Sequence, residues 1–190
     1  MKISRSFYAR NSKIVAKELL GKILVHKTVE GICKGRIVET ESYLGRNDPG
    51  ATGFRKVKSI PEILLGPPGH AFVYFTYGNH WMFNVIATEK IGKPGAVLIR
   101  AIEPLEGIGL MKKRRGADDI KNLTNGPGKL TRAFGIEKRH NGLDLTRGNL
   151  FIEESDDKFE IVNTTRIGLS KGKEKLLRFY VKDNEFVSRK

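Results

Sequence analysis

Apolar and polar positions alternate in two different rhythms along this chain. Near the start, Ile14, Val15, Leu19 and Leu20 fall on one face of a helix. Asn11 or Ser12 can cap that helix, and Gly21 suits its stop. The pattern then shortens to period two. Lys22 to Val29 reads as a strand, Glu30-Gly31 as a turn, and Ile32 to Tyr43 as a second, antiparallel strand. Residues 45–70 read as loop, broken by Asp48-Pro49-Gly50 and Gly66-Pro67-Pro68-Gly69. Phe72–Thr76 and Trp81–Ala87 are apolar strands joined through Tyr77-Gly78-Asn79-His80, a hairpin pattern. Ala96–Ile102 is a further strand. Leu105–Arg115 is predicted as a helix ending in Lys112-Lys113-Arg114-Arg115, and Gly128–Phe134 as a short helix stopped at Gly135. Short strands follow at Leu150–Glu153, Phe159–Asn163 and Leu177–Lys182. Strands in hairpins without regular βαβ alternation predict an α+β fold on an antiparallel sheet.

Composition narrows the class. A length of 190 residues fits one domain spanning 1–190, large enough to bury its own core. The formal net charge of +14 favours a polyanionic partner, a nucleic acid or an anionic surface, although a basic face can also serve solubility alone. One cysteine, Cys33, permits no disulfide within the chain. The opening residues lack the apolar stretch of a signal peptide, and no apolar run approaches the ~20 residues that span a bilayer. An intracellular protein, cytoplasmic or nucleoid-associated, is therefore expected. His26, His70, His80, His140 and Cys33 show no metal-ligand spacing, so no metal site is expected.

Three segments could carry chemistry. In Ile37-Val38-Glu39-Thr40-Glu41-Ser42-Tyr43, strand alternation puts Glu39, Glu41 and Tyr43 on one face. Paired carboxylates suit acid–base work; a solvent-facing strand side with Arg36 as partner is the other reading. Tyr74 through Asn84 is rich in aromatics, and an aromatic at its turn could wedge between bases or offer a stacking platform. It could equally anchor a core. Asn84 sits inside an apolar strand and needs a hydrogen-bond partner. Asn125-Gly126-Pro127-Gly128-Lys129 runs into a helix whose free N–H groups could meet a phosphate, though it is no P-loop. Leu105-Glu106-Gly107-Ile108-Gly109 has the look of a helix-hairpin-helix glycine turn, but no aspartate follows at the required distance.

Together these segments resemble the alkyladenine (3-methyladenine) DNA glycosylase family over nearly the whole chain. The most specific pieces are Gly35 through Gly45, Tyr74 through Asn84, Val97 through Pro104, and Asn125 through Leu130, in that order. The resemblance implies a single mixed domain with a curved antiparallel sheet flanked by helices, and an aromatic hairpin that inserts into DNA. It implies a cofactor-independent enzyme of base excision repair. Such an enzyme flips alkylated purines out of duplex DNA and hydrolyses the N-glycosidic bond, leaving an abasic site. Glu41 matches the family's general base. Tyr43 and Tyr74 match the aromatics against the flipped base, Asn84 and Arg100 the polar residues near the pocket, and Tyr77 the inserted residue. The family carries a histidine eleven residues after the base, where this chain has Thr52. A backbone donor to the base survives that change and an imidazole contact does not. The difference bears on neutral substrates such as hypoxanthine or ethenoadenine more than on 3-methyladenine or 7-methylguanine. Lys129, Lys112, Lys113, Arg114 and Arg115 are the expected contacts to the DNA backbone, with the Lys171/Lys173/Lys175 cluster beside them. A monomer with no membrane partner is the family-like expectation. The competing class is a basic DNA- or RNA-binding module without chemistry, which leaves Glu39 and Glu41 without purpose.

Overall fold

The computed structural model describes residues 1–51, 62–76 and 78–189. Two short helices open the chain, α1 (Arg5–Tyr8) and α2 (Ser12–Glu18). The Asn11 side chain accepts the Lys13 N–H at 3.0 Å and so caps α2. The strands are β1 (Ile23–Thr28), β2 (Gly31–Tyr43), β3 (Ala71–Thr76), β4 (His80–Ile86), β5 (Ala96–Glu106), β6 (Leu150–Glu153), β7 (Ile161–Thr164) and β8 (Arg178–Val181). Between β5 and β6 lie α3 (Ile108–Arg115) and α4 (Pro127–Phe134). All strand pairs are antiparallel, in one sheet of order β3-β4-β5-β2-β1-β6, with β8 beside β2 and β7 beside β8. The fold is α+β, as the strand pattern predicts.

The predicted helix over Leu105–Arg115 begins later. Pairing of Pro104 and Glu106 with β2 carries β5 on to Glu106, and Gly107 then turns the chain at φ +79°. Cross-strand bonds here override the local helical pattern. The last two short strands also move by a residue or more, to Ile161–Thr164 and Arg178–Val181.

Strand β2 organises the molecule. One edge pairs with β5 along most of its length. The other edge pairs with β1 from Gly31 to Arg36, then with β8 from Glu39 to Glu41. The β2–β5 register slips between Ile37 and Thr40, where Val38 and Arg100 have no opposite partner. Such bulges bend a strand and re-aim its side chains.

The sheet has two covered faces. On one, Val73, Phe83, Val85, Val97 and Ile99 join the main core with Leu19, Leu130, Phe134 and Phe179. There the Thr40 hydroxyl donates to the Ala16 carbonyl at 2.8 Å, and Ser12 and Ser42 hydroxyls meet at 3.0 Å. These bonds dock α2 on the second half of β2. The other face carries a smaller cluster of Ala51, Leu64, Ile86 and Ala96, with Tyr43, Ile63 and Phe72 packed against it.

Candidate active site

Residues opposite one another on neighbouring strands share a sheet face. Successive pairings therefore build one row: Phe72 on β3, Asn84 on β4, Leu98 on β5, Glu41 on β2 and Arg178 on β8. Tyr74 lies two residues beyond Phe72, and Tyr43 two beyond Glu41. Four residues expected from sequence to form a site (Glu41, Tyr43, Tyr74 and Asn84) thus stand on the smaller cluster's face.

Glu41 is fully buried. Its Oε2 accepts the Tyr43 hydroxyl at 2.9 Å. Its Oε1 accepts the Ile167 N–H at 2.8 Å and faces Arg100 Nη1 at 3.3 Å. Two hydrogen-bond donors and one ion pair, from three segments, hold the carboxylate in one orientation. The Tyr43 phenol is pushed far above its usual range, by burial first and then by the Glu41 charge and hydrogen bond. It stays a donor.

Glu39 is buried as deeply but is bound differently. Its Oε1 accepts both Arg100 Nε at 2.8 Å and Arg178 Nε at 2.7 Å, and its Oε2 accepts the Ser188 N–H at 2.7 Å. Burial raises its pKa, but the Arg100 charge, the Ser188 bonds and the Arg178 charge outweigh that and hold it below the ordinary value. The alternative of a solvent-facing strand with Arg36 as partner is therefore corrected. Ile37 through Ser42 are all buried, and Arg36 instead pairs with Glu103 and Asp157, both at 2.9 Å. Two carboxylates and two guanidiniums make the cluster neutral in formal charge. That meets the requirement that buried charges be paired.

A second buried pair braces the aromatic side. Arg166 binds Asp48 through both terminal nitrogens, at 2.6 and 2.7 Å, and donates to the Ser42 carbonyl at 3.0 Å. Asp48 also accepts the Leu44 and Gly50 N–H groups, which closes the turn after β2. The Arg166 guanidinium lies 4.9 Å from the centre of the Tyr43 ring. Ile167, the next residue, supplies the N–H to Glu41. One ion pair therefore places both the ring and a donor.

Tyr74 is 39% exposed and stacks on Phe72 with ring centres 5.1 Å apart. Asn84 donates from its amide to the Phe72 carbonyl at 3.2 Å, the partner its position called for. Thr52 and Tyr77 lie outside the described residues.

The basic residues sort unevenly. Lys113 is exposed, and Lys112 stands 4.0 Å from Asp118. Lys129 is held by the Asn122 and Asn125 side chains at 3.2 and 2.8 Å. Arg114 turns inward, to Glu30 at 2.7 Å, the Ala133 carbonyl and Thr28. Sequence reasoning missed Asp48, Arg166, Ile167, Arg178 and Ser188. Only Asp48 carried a signal, an aspartate in a Pro-Gly turn where such a side chain caps its own backbone. Among the described residues no three His, Cys, Asp or Glu side chains are grouped to hold a metal. None of their helices is long and apolar enough to cross a membrane.

Comparison with known proteins identifies the class that this site serves. A family model described as Methylpurine-DNA glycosylase matches residues 6–185. The protein is a DNA glycosylase, a hydrolase acting on DNA. It belongs to the methylpurine-DNA glycosylase family. A relative from Carboxydothermus hydrogenoformans is 47% identical over the full length of both chains. One from Prosthecochloris aestuarii is 47% identical over 99% of this chain and 91% of its own. One from Methanoculleus marisnigri is 45% identical, again over the full length of both. Each of these relatives bears the name 3-methyladenine DNA glycosylase, given provisionally.

Proposed function

We propose that this enzyme excises alkylated purines, 3-methyladenine and 7-methylguanine first among them, with Glu41 as the general base. The observation that carries this reading is a buried carboxylate held by Tyr43, Ile167 and Arg100 beside an aromatic group that is partly open to solvent.

The chemistry follows from charge. A 3- or 7-alkylpurine is cationic while attached to the sugar and leaves as a neutral base. Cleavage of the N-glycosidic bond sends its electron pair to the purine and builds oxocarbenium character at C1′. Glu41 takes a proton from water as the water oxygen bonds to C1′. Tyr43 and Tyr74 offer π faces to the cationic base, worth about 0.5–2 kcal/mol per contact. Flipping the nucleotide costs a few kcal/mol, less for a damaged pair. Tyr77 is the proposed wedge that fills the vacated stack. Asn84 is proposed to exclude normal purines that carry an extra amino group. Thr52, in place of a histidine, narrows the range toward charged substrates. Lys112, Lys113, Arg115 and Lys129 are proposed to grip phosphates, and the enzyme to act as a monomer.

Family membership sets aside the module without chemistry. The neutral pairing of Glu39 and Glu41 with arginines makes these carboxylates compatible with bound DNA, because they then present little repulsion to a polyanion. The test is release of free base from methylated duplex. The expected products are 3-methyladenine and an intact abasic strand. Strand scission, or an adduct trapped by borohydride, would show an amine nucleophile and overturn hydrolysis through water.

A further inference from the structure

The β3–β4 hairpin has a second side. Phe72, Tyr74 and Asn84 occupy the face toward Glu41, while Phe75 and Trp81, opposite each other in register, occupy the reverse. Their rings lie 4.8 Å apart. On that reverse side the hairpin is seated on α4. The Thr131 hydroxyl donates to the Trp81 carbonyl at 2.9 Å. The His80 ring lies so close over Gly128 that any Cβ there would come within 2.7 Å of it. Between the hairpin end and α4 opens a cleft of about 480 Å³, whose lining includes Asn79, His80, Trp81, Arg115, Arg132 and Glu137.

The charges in this cleft are unbalanced. Arg115 Nε is buried with no hydrogen-bond partner, and Arg115 enters no ion pair among the described residues. Burial, and then the like charge of Arg132, hold its guanidinium below the usual range. Arg132 donates Nε to the Arg114 carbonyl and has no carboxylate partner among the described residues. Glu137, the one carboxylate lining the cleft among the described residues, is engaged by Arg139 at 2.9 Å. Two guanidiniums that line one space whose carboxylate is already engaged by another arginine are stabilised by a ligand with fixed negative charge and several acceptor oxygens.

We propose that this cleft is a phosphodiester-binding subsite, in which Arg115 and Arg132 clamp one backbone phosphate of the DNA against the reverse side of the hairpin. The subsite rests on the reading above that duplex DNA is the substrate. It adds that the hairpin is gripped from behind while its other face serves the base. A hairpin whose end enters a duplex has backbone on both sides, so a clamp here would hold that end in register during flipping.

Trp81 is the chain's single tryptophan and lines the cleft, so its emission reports occupancy directly. Inorganic phosphate, titrated against chloride at equal ionic strength, should change Trp81 emission in the wild-type protein, and undamaged duplex should displace it. An emission indifferent to phosphate, or phosphate that duplex does not displace, would overturn the proposal without any variant. The double variant Arg115→Gln/Arg132→Gln should lower the slope of log K against log salt for undamaged duplex by about 0.9, one phosphate's share. The pair Lys13→Gln/Lys182→Gln removes the same charge outside the cleft and should leave the slope near wild type. Equal slopes in the two double variants would overturn the subsite. Base release at saturating enzyme separates the two levels. Release that persists with an unchanged slope sinks only the subsite, whereas no release by wild type sinks the glycosylase reading beneath it.

Discussion

In the first half of β2, Cys33 and Gly35 point inward while Ile32, Lys34 and Arg36 reach toward solvent. The ion pairs of that half, Lys34–Glu106 and Arg36–Glu103, are partly exposed. In the second half, Ile37 through Ser42 are all buried, and the charged residues among them are completely enclosed. One strand thus changes from an ordinary half-buried ladder to a polar core within a residue or two. The change falls where β1 gives way to β8 as the neighbour and where the register against β5 slips. The bulge leaves Arg100 without an opposite partner, and its guanidinium reaches both Glu39 and Glu41. The irregularity is thus tied to the site.

This contrast sets the sizes of the expected effects. Glu39→Ala would strand Arg100 and Arg178 in the interior and should cost about 3–5 kcal/mol in urea unfolding. A loss near zero would mean that water reaches the cluster. Acid comes next. Glu39 and Asp48 both titrate below their ordinary values in the folded protein, Glu39 through Arg100, Ser188 and Arg178 against the effect of burial, Asp48 through Arg166 and backbone donors against the same. Their unfolded forms therefore bind protons first as pH falls. The stability they contribute is complete above the usual carboxyl range of about 3.9–4.3 and is lost as pH drops through the folded values. The urea midpoint should fall steeply below pH 4.5, and Asp48→Asn should make that fall shallower. A slope unchanged by Asp48→Asn would remove this pair from the account. Smallest is Arg36→Ala in the first half, whose partly exposed partners should make it worth under about 1 kcal/mol. A cost as large as that of Glu39→Ala would erase the distinction between the halves.

Much of this was legible in the chain. Period-two alternation places Glu39, Glu41 and Tyr43 on a strand, and the aromatic hairpin is where its pattern puts it. These are local features, set by neighbours in sequence. The bracing of the site is not local. Arg178 is 139 residues from Glu39, and Arg166 is 118 from Asp48. Nothing in Thr164-Thr165-Arg166 or Leu177-Arg178 separates a buried guanidinium from a surface one: the β2–β8 register brings Arg178 to Glu39, and the segment after β7 brings Arg166 to Asp48. Arg114 shows the same limit in reverse: it sits in a basic run like its neighbours, yet Glu30 and the Ala133 carbonyl draw it inward. The start of α3 was hidden because pairing with β2 keeps Leu105 and Glu106 in strand.

Glu41, among these enclosed charges, is the proposed base. Glu41→Gln keeps the shape and an acceptor but cannot take a proton. It is most directly tested by single-turnover release of 3-methyladenine from methylated duplex, measured beside binding of the same duplex. The expected rate is lower by about 10²–10⁴-fold with binding retained. Release at a near-normal rate by Glu41→Gln would contradict that role.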